Sequence, residues 1–238
     1  MIIGVVGLGT MGLGIAQVFA AAGHQVRATD AMDPARASAP ARMRAALEPR
    51  VAKGALTAGA MAKTLANLHI GDLASLAPCD MVIEAILETL PAKQALFAAV
   101  EAILGPTAIL ATNTSSLSVS QIARTMRHPE RLLGLHFFNP APAMKLVELI
   151  PHATTAPTAL TLARQITESA GKTVIASPDR PGFIVNRCAR PFYGEALALL
   201  EEGRTQSAFD AAMLAAGYRI GPLSLIDLIG ADINLAAT

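Results

Sequence analysis

The chain opens with an uncharged stretch whose apolar positions form two successive patterns. No Lys, Arg, Asp or Glu occurs before Arg27. Residues 1–6 are almost continuously apolar, which predicts a buried strand, and the segment that begins at Leu13 is typical of a helix. A signal peptide or membrane helix is also apolar, but this stretch has no basic start and is interrupted by glycines. We therefore expect a buried parallel strand followed by a tightly packed helix.

The same alternation continues along most of the chain. The next predicted elements are a strand over 25–29, helices over 34–51 and from Thr57 to Leu68, a strand over 81–86, a helix over 91–104 and a strand over 108–112. Strands that alternate with helices imply right-handed βαβ units and a parallel sheet covered on both faces.

A different pattern begins at Leu132. Two apolar strands, 132–138 and 145–150, are joined by the short connection 139–142, which leaves no room for a crossover helix. They are expected to add an antiparallel edge to the sheet. A helix over 157–170 and a strand over 172–176 follow.

The sequence predicts two domains with a boundary near Pro181. Residues 1–180 are expected to form an α/β domain, and residues 181–238 an all-α domain. The helical segments of the second domain are predicted over 183–202, 207–216 and 223–229. The expected fold class is a Rossmann-type, doubly wound, mostly parallel sheet with an antiparallel edge, followed by the helical domain.

Composition excludes several classes of protein. With 53% hydrophobic and 16% charged residues, the chain can bury a substantial core, which argues against disorder. The net charge of +1 offers no electrostatic footprint for nucleic acid or an acidic membrane. The two cysteines, Cys79 and Cys188, lie far apart without neighbouring ligands, so we expect no disulfide, no metal site and a cytoplasmic location.

The turn between the first strand and helix is glycine-rich, with the sequence GLGTMG over residues 7–12. Gly7 permits a sharp turn, Gly9 lets the backbone approach a pyrophosphate, and Gly12 lets the helix pack closely. The free N–H groups at the start of the helix would face the phosphates. Asp30 ends the second strand, where a carboxylate can accept hydrogen bonds from ribose hydroxyls of NAD and repel the extra phosphate of NADP. These features predict NAD binding.

Two other polar positions each have two interpretations. The segment 112–116, Thr-Asn-Thr-Ser-Ser, lies just past the end of a strand, where open α/β sheets place their ligands. Alternatively, Ser116 or Ser118 caps the next short helix. Asn186 lies one turn into the long helix, where its amide can donate to a substrate oxygen or serve as an ordinary polar residue.

His136 lies inside an apolar strand, and such a histidine is more often a core residue than a catalyst. However, Glu148 lies in the next strand, and a buried carboxylate is costly unless it is paired. A histidine N–H from the neighbouring strand would provide that partner. The pair would fix the histidine tautomer and make the imidazole a proton acceptor near neutral pH.

Five motifs occur in an order that resembles one family over nearly the whole chain. They are the glycine turn with Asp30, and the segments 82–88, 113–117, 134–140 and 181–187. Together they are similar to the L-3-hydroxyacyl-CoA dehydrogenase family. The resemblance implies oxidation of an (S)-3-hydroxyacyl-CoA to a 3-oxoacyl-CoA in fatty-acid β-oxidation, with NAD as the hydride acceptor.

The resemblance also implies roles for individual residues. His136 would be the general base and Glu148 its orienting partner, while Ser115 and Asn186 would hold the oxygen on the substrate's C3. The positions matching NAD contacts of the family are Gly7, Gly9, Thr10, Met11, Gly12, Asp30, Glu88, Lys93, Asn113, Ser115 and Asn139.

The CoA contact leaves alternatives open. Lys53 is the counterpart of a lysine that touches the CoA nucleotide in relatives, but Ala46 stands where they carry an assisting serine. Lys53 can equally be a solvated residue at a helix end. One alternative is therefore a dehydrogenase of a free hydroxy acid, similar to the gulonate-oxidising, crystallin-like branch. The others are a non-catalytic NAD-binding module and one segment of a multifunctional fatty-acid oxidation protein.

The helical domain is expected to be incomplete. Relatives carry a C-terminal domain of ~100 residues, whereas residues 181–238 would supply only about half of it. In the family the remaining helices form much of a dimer contact, so we expect a homodimer in the intact protein. The alternative to a fragment of a longer protein is a minimal helical domain. The apolar segment 223–229 favours a fragment, since uncovered apolar surface promotes association. The expected partner is an acyl-CoA, with neither nucleic acid nor a membrane.

Overall fold

The computed structural model describes residues 1–231 and residue 235. The chain divides into two compact units, Met1–Asp179 and Arg180–Thr238. Positions 232–234 and 236–238 of the predicted helical domain lie outside the described residues.

The first unit contains one eight-stranded sheet. Its strands are β1 (Ile2–Val6), β2 (Gln25–Thr29), β3 (Leu68–Ile70), β4 (Met81–Glu84), β5 (Ile109–Thr112), β6 (Leu132–Phe137), β7 (Leu146–Ile150) and β8 (Thr173–Ala176). Their order in the sheet is β3-β2-β1-β4-β5-β6-β7-β8. Only the pair β6–β7 is antiparallel among the described strands, so β7 and β8 form an edge that runs against the rest. The predicted fold class is confirmed.

Six α-helices and two short 3-10 helices, Leu73–Leu76 and Pro129–Arg131, accompany the sheet in the described part of this unit. The six α-helices are α1 (Thr10–Ala21), α2 (Asp33–Ala52), α3 (Ala58–Ala66), α4 (Leu90–Glu101), α5 (Val119–Ala123) and α6 (Pro157–Ser169). Every residue of β4, β5 and β6 is buried, which explains why these strands are almost continuously apolar. The polar residues within them are therefore the exceptions that need partners.

The predicted end of α3 was wrong. The helix begins as expected at its cap, where the Thr57 hydroxyl accepts a hydrogen bond from the Ala60 N–H at 3.1 Å. However, it ends at Ala66 and not at Leu68, because Leu68–Ile70 pair with β2 as an edge strand. These three residues are half-buried or exposed, and so short a segment shows no recognisable alternation.

The second unit is helical over its described residues. It contains α7 (Val185–Glu201), α8 (Gln206–Ala215) and α9 (Pro222–Ile229). The buried Asp210 carboxylate caps α9 by accepting hydrogen bonds from the Leu223 and Ser224 N–H groups at 3.1 and 2.9 Å. Within residues 1–231, no helix combines the length and the apolar character needed to cross a membrane.

Asp179, the last residue of the first unit, holds the start of the short helix α5. Its carboxylate accepts hydrogen bonds from the N–H groups of Val119 and Ser120 at 2.9 and 2.8 Å, and from the hydroxyls of Ser118 and Ser120. Burial alone would raise the pKa of Asp179, but these donors outweigh burial and hold the pKa below its ordinary value of 3.8.

Because its pKa is lowered in the folded state, ionised Asp179 stabilises the fold above the ordinary carboxyl pKa. That contribution disappears as the pH falls through the lower, folded-state pKa. Asp179→Asn should therefore lower the free energy of unfolding by about 1–2 kcal/mol at neutral pH, with a smaller loss at about pH 3. Urea unfolding across this range measures the effect. The exposed Glu48→Gln is the control, and an equal loss for Asp179→Asn at both pH values would contradict the prediction.

Candidate active site

The glycine turn is sterically restricted on one side and open on the other. Gly7 has a φ of +95°, and a Cβ placed on it would lie 2.4 Å from the Ala85 carbonyl oxygen. A Cβ on Gly12 would lie 1.8 Å from the Gly7 oxygen, so α1 packs directly against the turn. By contrast, a Cβ on Gly9 would meet no described atom within 4 Å. The open side of Gly9 at the start of α1 fits the close approach of a phosphate group.

Asp30, directly after β2, is tied to this turn. One carboxylate oxygen accepts a hydrogen bond from the Leu8 N–H at 2.7 Å, and the other accepts one from the Met32 N–H at 2.8 Å. Arg36 donates to the backbone carbonyl of Asp30. Each carboxylate oxygen has a further lone pair, so Asp30 can still accept hydrogen bonds from ribose hydroxyls.

Glu84, the last residue of β4, is a fully buried carboxylate that the sequence analysis did not assign. One oxygen accepts hydrogen bonds from the Lys93 ammonium at 2.5 Å and the Ile86 N–H at 2.8 Å. The other accepts the Thr112 hydroxyl at 2.7 Å. The bond to Ile86 turns the chain, and β4 therefore ends two residues before its predicted end. An acidic residue inside an apolar strand was the signal that could have identified it.

Glu88 organises the loop that follows β5. One oxygen accepts the Thr114 hydroxyl at 2.5 Å and the N–H groups of Ser115 and Ser116 at 2.9 and 3.2 Å. The other lies 3.0 Å from the Lys93 ammonium. Burial acts to raise the pKa of Glu88, but Lys93 and the hydrogen bonds outweigh it and lower the pKa. The Glu88 side chain is 33% exposed and Lys93 only 1%, so a contact between Lys93 and a cofactor stays a prediction.

The cap of α5 is Ser118, whose hydroxyl accepts from the Gln121 N–H at 3.3 Å. Ser115 and Ser116 are engaged with Glu88 in the preceding loop. The two interpretations of this segment therefore apply to different serines, one a helix cap and the others part of a polar loop at the strand ends.

His136 and Glu148 are directly paired across β6 and β7. The His136 Nδ1 lies 2.7 Å from the Glu148 Oε2, and the two residues are 5% and 0% exposed. A carboxylate accepts only, so Nδ1 carries the proton, and in the neutral ring Nε2 is then the basic nitrogen. The ring of Phe138 lies 4.5 Å from the imidazole, centre to centre.

Asn113 links the loop after β5 to β6, because its side-chain oxygen accepts the Phe137 N–H at 2.8 Å. Thr112 pairs with Gly134 in the sheet, so the serine loop and His136 lie at the carboxyl ends of adjacent strands. Asn139 is exposed in the connection after β6. Open α/β sheets bind ligands at this edge.

A cleft of about 590 Å³ lies between α1, α2 and the connection 139–143. Arg42, Ala46 and Arg50 line the cleft from one face of α2, because residues four positions apart lie on the same side of a helix. The two arginines were not among the predicted site residues, although this spacing could have identified them as lining one surface. Lys53 is exposed just beyond the end of α2.

Lys172 fixes the connection 139–143 by donating hydrogen bonds to the Ala141 and Met144 carbonyls at 2.6 and 2.8 Å. Burial lowers the pKa of Lys172.

Asn186 lies in the first turn of α7, in the second unit, and its predicted role stays a prediction. Across the described residues, no group of three or more His, Cys, Asp or Glu side chains is arranged to hold a metal ion.

Two family models match the chain. Residues 2–180 match the 3-hydroxyacyl-CoA dehydrogenase NAD-binding domain, and residues 182–238 match the 3-hydroxyacyl-CoA dehydrogenase C-terminal domain.

Individual relatives agree with the family models. A 3-hydroxyadipyl-CoA dehydrogenase of Escherichia coli is 46% identical over 99% of this chain and 50% of its own length. A 3-hydroxybutyryl-CoA dehydrogenase of Bradyrhizobium diazoefficiens is 40% identical over 98% of this chain and 81% of its own length. The crystal structure of 3-hydroxybutyryl-CoA dehydrogenase from E. coli superposes with a TM-score of 0.95 at 45% identity, covering 100% of this chain and 51% of that one. The chain thus spans about half the length of the E. coli relatives.

The geometry of the turn predicts opposite outcomes for two of its glycines. Gly12→Ala should destabilise the fold by about 2–4 kcal/mol, since its Cβ would overlap the Gly7 carbonyl and backbone must move. Gly9→Ala, the matched control, should leave the free energy of unfolding within about 1 kcal/mol of the original chain, because its Cβ enters open space. Chemical denaturation of both variants decides this, and equal stability of the two would refute the steric argument.

Proposed function

The chain belongs to the 3-hydroxyacyl-CoA dehydrogenase family, and from this premise we propose that its protein oxidises (S)-3-hydroxyacyl-CoA to 3-oxoacyl-CoA with NAD. The observation that carries the proposal is the buried His136–Glu148 pair. His136 lies near the end of a strand that finishes at the same edge of the sheet as the glycine turn, and open α/β sheets bind their ligands at this edge.

The residues present fit NAD. The open face of Gly9 and the N-terminus of α1 would hold the pyrophosphate, Asp30 the adenosine ribose, and Glu88, Asn113 and Asn139 the nicotinamide half. Bound NAD would supply the hydride acceptor for the hydrogen on C3 of the substrate.

In the proposed step His136 Nε2 accepts the proton of the C3 hydroxyl as the hydride leaves the same carbon. Glu148 stabilises the imidazolium that forms. The Ser115 hydroxyl donates a hydrogen bond to the oxygen while negative charge develops on it. The alcohol thereby loses one proton to His136 and one hydride to the cofactor, which is two electrons and two protons in all, and the C–O bond becomes a carbonyl.

The two units have separate proposed roles. Residues 1–180 would bind NAD, and residues 181–238 would contribute to a helical domain that forms a homodimer in the intact protein. Large exposed apolar side chains in the second unit support the dimer, with Leu197 at 46%, Leu214 at 51% and Leu228 at 75% exposure. The likeness of residues 182–238 to the C-terminal domain of the family supports the same division.

The substrate class is tested by following NADH absorbance with matched substrates. We expect turnover of (S)-3-hydroxybutyryl-CoA or 3-hydroxyadipyl-CoA, the acyl groups for which the two relatives are named. Free 3-hydroxybutyrate is the control. Oxidation of the free acid with no activity on either CoA ester would favour the free hydroxy-acid branch. NAD binding without turnover of any of them would favour a non-catalytic module.

The general-base role predicts a specific loss in a histidine variant. His136→Ala should lower kcat by about 10²–10⁴-fold, the usual contribution of a positioned base, and leave the Kd for NAD near its original value. Glu148→Gln should also lower kcat, because the amide cannot stabilise the imidazolium as the carboxylate does. His69, exposed on β3, supplies the matched control in His69→Ala. An unchanged kcat for His136→Ala removes the histidine from the mechanism.

A further inference from the structure

The buried part of the site holds an ion triad with an unbalanced charge. The Lys93 ammonium lies 2.5 Å from the Glu84 carboxylate and 3.0 Å from that of Glu88. Two carboxylates and one ammonium leave a net charge of −1. Glu84 and Lys93 are at most 1% exposed, whereas Glu88 is 33% exposed and brings the charge to the protein surface beside the loop that follows β5.

The order of the strands indicates which part of a dinucleotide would lie nearest this charge. The glycine turn follows β1, and Asp30 follows β2 on one side of it. If the pyrophosphate lies on the turn and the adenosine ribose on Asp30, the nicotinamide half must extend over the other side, towards β4 and β5. Glu88 follows β4 and bonds to the loop that follows β5.

We propose that the Glu84–Lys93–Glu88 triad gives this site an electrostatic preference for NAD⁺ over NADH, with Glu88 as the group that exerts it. The inference rests on the proposed function and extends it to the redox state of the cofactor. The nicotinamide ring is positively charged in NAD⁺ and neutral in NADH. A fixed negative charge beside the ring therefore attracts the oxidised form alone.

The hydrogen bonds make the charge a fixed one. Glu88 is held by Lys93 on one oxygen and by the Thr114, Ser115 and Ser116 donors on the other, and Lys93 is itself held by Glu84. A side chain with this many partners cannot turn away when the ring loses its charge. The lowered pKa of Glu88 keeps the carboxylate ionised at neutral pH. Its attraction thus discriminates between the two redox states by charge, with no change in contacts.

The test measures the Kd of NAD⁺ and of NADH separately by calorimetry on the 238-residue chain. Glu88→Gln should weaken NAD⁺ binding about tenfold more than NADH binding, as expected for a unit charge removed a few ångströms from another charge in a partly solvated site. Leu87→Lys is a second variant that leaves the triad intact, because Leu87 is 78% exposed. It should move the ratio of the two Kd values in the same direction, so the test does not depend on how well Glu88→Gln folds.

Glu101→Gln is the matched control. Glu101, at the opposite end of α4, also organises a loop by accepting the N–H groups of Arg127 and His128 at 2.9 and 2.7 Å. Its loss should leave the ratio of the two Kd values unchanged. If Glu88→Gln and Leu87→Lys change both affinities by the same factor, the electrostatic inference is overturned while NAD binding stands. If the unsubstituted chain binds neither NAD⁺ nor NADH, both the proposed function and the inference that rests on it are overturned.

Discussion

A carboxylate inside an apolar strand has to find hydrogen-bond donors, and this requirement shapes the whole candidate site. Glu84 and Glu148 are both completely buried in strands. Glu84 accepts hydrogen bonds from Lys93 of α4 and Thr112 of β5, and Glu148 accepts one from His136 of β6. Removing Lys93 would leave the buried Glu84 carboxylate without its counter-charge, which costs several kcal/mol. The polar groups are therefore fixed in relation to one another before any ligand binds.

The sheet determines where these pairs appear. Parallel strands end at one edge, so residues that follow β1, β4, β5 and β6 gather there although they are distant in the chain. Glu88 and Asn113 then join the neighbouring loops, the first by bonds to the serine loop and the second by its bond to the Phe137 N–H. The site is consequently a set of short loops held by side chains at the end of a rigid sheet, a form of preorganisation that suits catalysis.

The sequence predicted the parts of this arrangement that depend on local patterns. The glycine turn, Asp30 and the His136–Glu148 pair follow from short motifs or from a buried charge that needs a partner. The same argument applied to Glu84 would have found the triad, but its partner Lys93 lies on a helix whose orientation the pattern does not fix. Strand β3 was not predicted, because three half-buried or exposed residues are too few to show an alternating pattern. The role of Lys172 was not predicted either, because its carbonyl partners are about 30 residues away in the chain.

The two carboxylates beside the reacting groups have complementary effects in the proposed reaction. Before hydride transfer the positive charge resides on the nicotinamide, and afterwards it resides on the imidazolium of His136. Glu88 would stabilise the first arrangement, whereas Glu148, 2.7 Å from the imidazole, would stabilise the second. A carboxylate at only one of these places would shift the equilibrium between the enzyme-bound reactants and products towards the state that it stabilises. With both present, the charge would move between two stabilised positions, so neither bound state would become a deep energy minimum from which the reaction proceeds slowly.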